Sequence, residues 1–199
     1  QLSCHRVGIQ HEPALVERDT RLKARLTEDG IAAVSHNAAL LAEPWTIETA
    51  DGGPYKVFTP YWRSFQKAVR PDPPRDAPVS LPAPEPWPAG EALDDLGLEP
   101  RRDWIDGLAE SWTPGEAGAM DRLIAFTDGP VGQYAEGRDI PARPGTSRLS
   151  PHLHFGEISP RQAWHATGLR QDEPGLRGQV EHFQRELGWR EFAHHVLYH

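Results

Sequence analysis

The chain has almost no sulfur and no surplus of positive charge. Cys4 is its only cysteine in 199 residues, which excludes an intramolecular disulfide and points to a reducing, cytoplasmic setting. No apolar run approaches the roughly 20 residues that a membrane-spanning helix needs, and the first residues lack the basic and apolar regions of a signal peptide. The expectation is a soluble protein. With 21 Lys+Arg against 29 Asp+Glu the formal net charge is −8, a balance that, taken whole, argues against a nucleic-acid partner. What the chain does have is Pro (20) and Gly (18), so much of it is not regular, although 38% hydrophobic residues can still bury a core.

The negative charge is unevenly spread. Residues 138–199 hold 8 Lys+Arg and 7 Asp+Glu, which leaves 13 and 22 for residues 1–137, so the two parts stand at +1 and −9. All eight cations of the later part are arginine, the side chain suited to bidentate contact with phosphate.

Periodicity divides the chain further. Residues 6–11 (RVGIQH) suit a short strand, and residues 12–29 place Leu15, Val16, Leu22 and Leu26 at helical spacings. Gly30 then suits a left-handed cap, and residues 31–35 (IAAVS) suit a second buried strand. A strand–helix–strand unit of this length requires a parallel sheet with neighbours on either side. Because the chain opens on Gln1, earlier strands are expected outside it. Residues 51–61 (DGGPYKVFTPY) lead from a turn into an aromatic patch, and residues 62–69 suit a short helix. Residues 71–100 are rich in proline and almost without hydrophobic periodicity, the mark of an extended linker.

Past the linker the pattern is helical. Met120, Leu123, Ile124 and Phe126 form an expected apolar face, and a second short helix would carry Val131 and Tyr134. Ser159 and Pro160 suit the N-cap and first position of a helix over 161–169. Residues 174–198 suit a long amphipathic helix in which Gly175, Gly178 and Gly188 are weak points.

Two runs carry chemistry. In residues 145–159 (GTSRLSPHLHFGEIS), Thr146, Ser147 and Ser150 offer hydroxyls and backbone amides where the chain bends before a helix, a donor set matched to a diphosphate. Helix capping is the alternative role for such hydroxyls. About thirty residues on, residues 183–192 (FQRELGWREF) place Glu186, Trp189 and Arg190 at i, i+3 and i+4, bringing an acceptor, an aromatic plane and a cation together. His195 and His199 are spaced i, i+4, and His152 and His154 flank Leu153, but no Cys or carboxylate cluster completes a ligand set, so no metal is expected. No nucleophile elbow of the G-x-S-x-G type is present.

These two runs, with the Gly-Pro-Tyr-x-Val-Phe-Thr-Pro segment at residues 53–60, resemble the DNA photolyase and cryptochrome family, most nearly its class I enzymes for cyclobutane pyrimidine dimers. The resemblance implies an α/β fold, the end of a parallel-sheet domain (1–70), a Pro-rich linker (71–113) and the start of an all-α flavin-binding domain (114–199), both domains incomplete. It implies flavin adenine dinucleotide (FAD), held by Tyr134, Thr146, Ser147, Arg148, Leu149, Ser150 and Phe183. Phe183 stands where many members carry tryptophan. It further implies that Arg138 contacts DNA and that Glu186, Trp189 and Arg190 meet the damaged strand, Glu186 accepting hydrogen bonds from the flipped pyrimidines and Trp189 stacking on them. The implied activity is light-driven splitting of pyrimidine dimers in DNA by an electron from reduced flavin, with a cryptochrome-type blue-light receptor and a (6-4) photolyase as alternatives. Glu186 favours the dimer enzyme, because the (6-4) branch tends to have glutamine there. The antenna chromophore and the tryptophan electron-transfer chain are left open. The full-length protein is expected to be a monomer with no membrane contact, and the isolated chain to be inactive.

Overall fold

The computed structural model describes residues 4–8, 12–37, 39–80, 83, 85–86, 89–98 and 106–199. Strands β1 (Cys4–Gly8) and β2 (Ala32–His36) pair in parallel with Cys4 opposite Ala32 and Gly8 opposite His36, and helix α1 (Pro13–Glu28) crosses between them. Pro13 opens α1, where its missing N–H is no loss. Gly30 follows with a φ of 75°, the left-handed conformation that glycine adopts without a Cβ penalty. The first strand begins earlier than the apolar run suggests, and residues 9–11 of that run lie outside the described residues.

Helix α2 (Phe58–Ala68) starts four residues ahead of its expected position, and Pro60 is tolerated in its first turn. Residues 71–105, so far as they are described, form no regular element beyond a 3₁₀ turn at Leu93–Leu96, whereas the end of the expected linker is helical. Then come α3 (Asp106–Ser111), α4 (Gly115–Asp128), a 3₁₀ turn (Pro130–Gln133) running into α5 (Tyr134–Gly137), α6 (Ser150–Phe155), α7 (Pro160–Gly168) and α8 (Arg177–Tyr198). The start of α7 is a capping box: the Ser159 hydroxyl accepts from the Gln162 N–H, and the Gln162 side chain accepts from the Ser159 N–H. In α4 the buried face is Ala119, Leu123 and Phe126, while Met120 and Ile124 point to solvent. The expected face therefore turns by about one residue, because Ala119, Leu123 and Phe126 follow the i, i+4, i+7 stripe.

The core does not respect the linker. Leu41, Ile47, Phe58, Tyr61 and Phe65 pack in one cluster with Leu123, Phe126, Leu149, Phe183 and Leu187 from beyond it. Tyr61 meets Phe192 of α8 and Phe65 meets Trp164 of α7. Polar contacts reinforce this. The N–H groups of Leu41 and Ala42 donate to Glu191 Oε2 at 2.8 and 3.1 Å. One turn later His195 accepts from the Tyr55 N–H at its Nε2 (3.0 Å) and donates from Nδ1 to the Pro44 carbonyl (3.0 Å). Helix α8 is the spine on which the earlier segment is fastened.

Candidate functional site

Two glycines return the chain to α5 where a phosphate grip is expected. A Cβ on Gly145 would lie 2.3 Å from the Gly137 carbonyl oxygen, so the two backbones cross at a distance only glycine permits. The crossing sets Gly145 against the end of α5, and Leu149 shares the core cluster with Tyr134. Along this loop Thr146, Arg148 and Ser150 are exposed, Ser147 is half-buried, and Leu149 is sunk into the core. Arg148 has a φ of 53°, a left-handed backbone that arginine seldom adopts. The Leu149 N–H donates to Ser147 Oγ at 3.4 Å, and α6 begins without any side-chain cap. Capping is thus not what Thr146 and Ser150 do. The Arg148 guanidinium lies 4.7 Å over the Trp112 ring, which Arg122 also approaches at 5.2 Å. Surface hydroxyls and a guanidinium on one tight turn are a donor set that fits a diphosphate.

Tyr134 and Phe183 lie deeper. Their rings meet edge to face at 5.3 Å, and both pack on Phe126, at 5.6 and 4.7 Å. Burial pushes the Tyr134 phenol up to about 12, opposed by the Arg138 charge. Both rings belong to the same core cluster as Leu149, so they support the loop from inside the protein.

On α8 the three residues expected on one face separate. Trp189 is 44% exposed, its indole stacked on Phe58 with ring centroids 3.6 Å apart and planes 11° from parallel. Glu186, one turn earlier, forms an ion pair with Arg138, joining two of the four residues expected to face DNA. Arg190 turns inward: its Nη1 donates to the Ala39 carbonyl at 2.7 Å and to Glu191 Oε1 at 3.4 Å. Helix phase does not separate them, since Arg190 is only about 40° from Glu186 around the axis; its inward course follows from its partners, the Ala39 carbonyl and Glu191, which fasten the segment before α2.

Glu191 carries no expected role in the sequence, and His195 enters there only as one of a histidine pair at metal-ligand spacing. Each is at most 1% exposed, and burial pushes the Glu191 carboxyl up to about 7 against the pull of the Ala42 N–H, Arg190 and the Leu41 N–H. Burial also holds His195 below the usual imidazole range. Both of its ring nitrogens are hydrogen-bonded, so it has no lone pair to offer a metal. Their i, i+4 spacing was the available signal, but the partners are main-chain groups about 150 residues away, which no local pattern announces.

The family model for DNA photolyase matches residues 2–85. A deoxyribodipyrimidine photo-lyase of Agrobacterium fabrum is 44% identical over 192 residues, covering 96% of this chain and 40% of that protein. The crystal structure of a bacterial class III photolyase from Agrobacterium tumefaciens superposes with a TM-score of 0.92 at 43% identity, over 99% of this chain and 41% of that one. This chain belongs to the DNA photolyase and cryptochrome family. Cryptochrome-2 of Arabidopsis thaliana is also similar, 30% identical over 94% of this chain and 32% of its own. The chain spans about two fifths of the length of the photolyases it matches. Its structural likeness is to a class III member, whereas the motifs resemble class I. The parallel strand pair and the helices after the linker are the α/β and all-α parts expected for this photolyase fold, and among the described residues no helix is long and apolar enough to cross a membrane.

Proposed function

We propose that this chain is the lesion-facing portion of a light-driven DNA repair enzyme that splits cyclobutane pyrimidine dimers. The observation that carries the reading is Trp189, a partly exposed indole with one face against Phe58 and, among the described residues, no ring stacked on the other. A base turned out of a duplex presents a planar face and a polar edge. Trp189 supplies stacking, worth about 1 to 3 kcal/mol per base, and Glu186 supplies a carboxylate to accept from the pyrimidine N–H. Arg138 orients that carboxylate through their ion pair and, being partly exposed, can also meet a phosphate. Arg190 acts through the fold, by fastening α8 to residue 39.

The cofactor that suits the loop is FAD. Thr146, Ser147, Ser150 and the loop amides would hold its diphosphate, Arg148 would add a cation, and Tyr134, Leu149 and Phe183 would hold the loop's shape from the core. When bound, reduced flavin supplies the photoexcited electron. The residues of this chain position, orient and shield.

A blue-light receptor of the cryptochrome type is the second reading, supported by the likeness to cryptochrome-2. Glu186 in place of glutamine speaks against the (6-4) branch. The deciding experiment illuminates the full-length protein with dimer-containing DNA. Loss of dimers in blue light supports the enzyme, and absence of both repair and preference for damaged DNA favours the receptor. In the same protein Trp189→Ala should weaken dimer binding by about 1 to 3 kcal/mol with flavin content intact. Thr146→Ala with Ser150→Ala should lower flavin occupancy, since hydrogen bonds to a charged group are worth roughly 1.5 to 3 kcal/mol each.

A further inference from the structure

What fixes Trp189 lies on α2. Phe58, the first residue of that helix, is buried, and its ring is nearly parallel both to Trp189 (11°, 3.6 Å) and to Trp62 (13°, 6.0 Å). Phe65 continues the series, 16° from the plane of Trp62 at 5.4 Å. Phe192 closes it from the side, meeting Phe58 at 67° and Trp189 at 73°. One face of the indole is therefore covered and an edge is clamped. Gly188 lets the series close, because a Cβ there would sit 2.4 Å from Trp62 Cζ3. On the same helix Gly178 has nothing within 4 Å of its would-be Cβ, so the demand for glycine is local to the stack.

We propose that Phe58 is a positioning residue for lesion recognition: it holds the Trp189 indole as a rigid plane on whose open face a flipped pyrimidine stacks. The proposal rests on the lesion-stacking reading given above. An unsupported surface indole rotates about two side-chain torsions and must be ordered when a base arrives, at a cost that falls on the complex. Backed by Phe58 and edged by Phe192, Trp189 is ordered before binding. Undamaged duplex, whose bases stay in the stack, makes no use of the plane. The contribution of Phe58 is thus to the preference for damaged DNA and leaves general affinity alone.

The test measures, in the flavin-loaded full-length protein, the affinity for an oligonucleotide with one cyclobutane thymine dimer and for the same oligonucleotide undamaged, alongside flavin content and melting temperature. Phe58→Leu, which keeps apolar volume but removes the flat partner, should lower dimer affinity by roughly 2- to 10-fold with undamaged-DNA affinity and flavin content unchanged. Phe58→Tyr, which keeps the plane, should restore the preference. Phe192→Leu, at a less buried ring, should produce a smaller selective loss and serves equally if the Phe58→Leu protein does not fold. An unchanged preference in these leucine variants, or an equal loss for both DNAs together with flavin, would overturn the proposal. Trp189→Ala separates the two levels: if it alone lowers the preference, the stacking reading stands and the role of Phe58 falls; if it does not, the stacking reading itself falls.

Discussion

The β1–α1–β2 unit and the helical body are built on opposite terms. Residues 13–36 contribute nothing to the main core; in α1 Val16 and Leu22 are exposed, the one buried residue is Asp19, paired with Arg18, and Val34 of β2 is also exposed. Among the described residues the two strands pair only with each other. In the helical body Tyr61, Phe65, Phe126 and Leu149 are each at most 2% exposed, and buried carboxylate and imidazole groups are hydrogen-bonded to main chain. The chain spans about two fifths of the photolyases it matches, and within that stretch apolar burial is concentrated after residue 40, while β1 and β2 are joined through their backbone ladder.

The largest expected effect is on the core. Phe65→Ala should cost this chain about 3 to 5 kcal/mol, the range for emptying a buried aromatic site, whereas Val16→Ala should stay within about 0.5 kcal/mol, as at other exposed positions. Denaturant titration of both variants measures the contrast, and equal losses would erase it. Hydrogen exchange sharpens it by segment: amides around residues 187–195 should open only with the whole body, and those of α1 well before.

A pH series tests the buried polar pair, whose two members act in opposite directions. The folded pKa of Glu191 is raised, so its contribution is full below the ordinary carboxylate value and is lost as pH rises through about 7. At about 1.4 kcal/mol per pH unit, this loss approaches about 3 kcal/mol by mildly alkaline pH. Glu191→Gln keeps an acceptor for Leu41 and Ala42 and should flatten the alkaline side. His195 has a depressed folded pKa, so its contribution is present above the ordinary imidazole value and fades as pH falls below it. His195→Gln should soften that acid limb in the same melts. The smallest effect is expected at Gly178, where alanine meets open space and should stabilise α8 by about 0.5 kcal/mol. At Gly188 the same change should be strongly destabilising, and a neutral result would mean that Trp62 is free to move.

Local grammar was legible in the sequence. Gly30, the Ser159 cap and Pro160 behave as their residue types dictate, because turns and caps are set by neighbours in the chain. The outward turn of Met120 and Ile124 was not legible, since an apolar stripe wider than its contact leaves two rotations of α4 almost equivalent. Nor was α3, a single short helix without apolar period. In the candidate site the hydroxyl loop and the outward Glu186 and Trp189 could be read from spacing, but Arg190 could not. Its inward course depends on a carbonyl at Ala39, 151 residues away, and side-chain contacts with distant backbone leave no periodic trace.

Helix α8 holds residues 39–55 by Arg190 on the Ala39 carbonyl, Glu191 on the Leu41 and Ala42 amides, and His195 on the Pro44 carbonyl and the Tyr55 amide. Every one of these is a peptide group, present whatever side chain the position bears. The polar code of this junction is therefore written on one side of the seam: α8 must carry a donor or acceptor at each of three positions, while the facing segment answers with its main chain, which any residue that keeps the path and, at 41, 42 and 55, an N–H can supply.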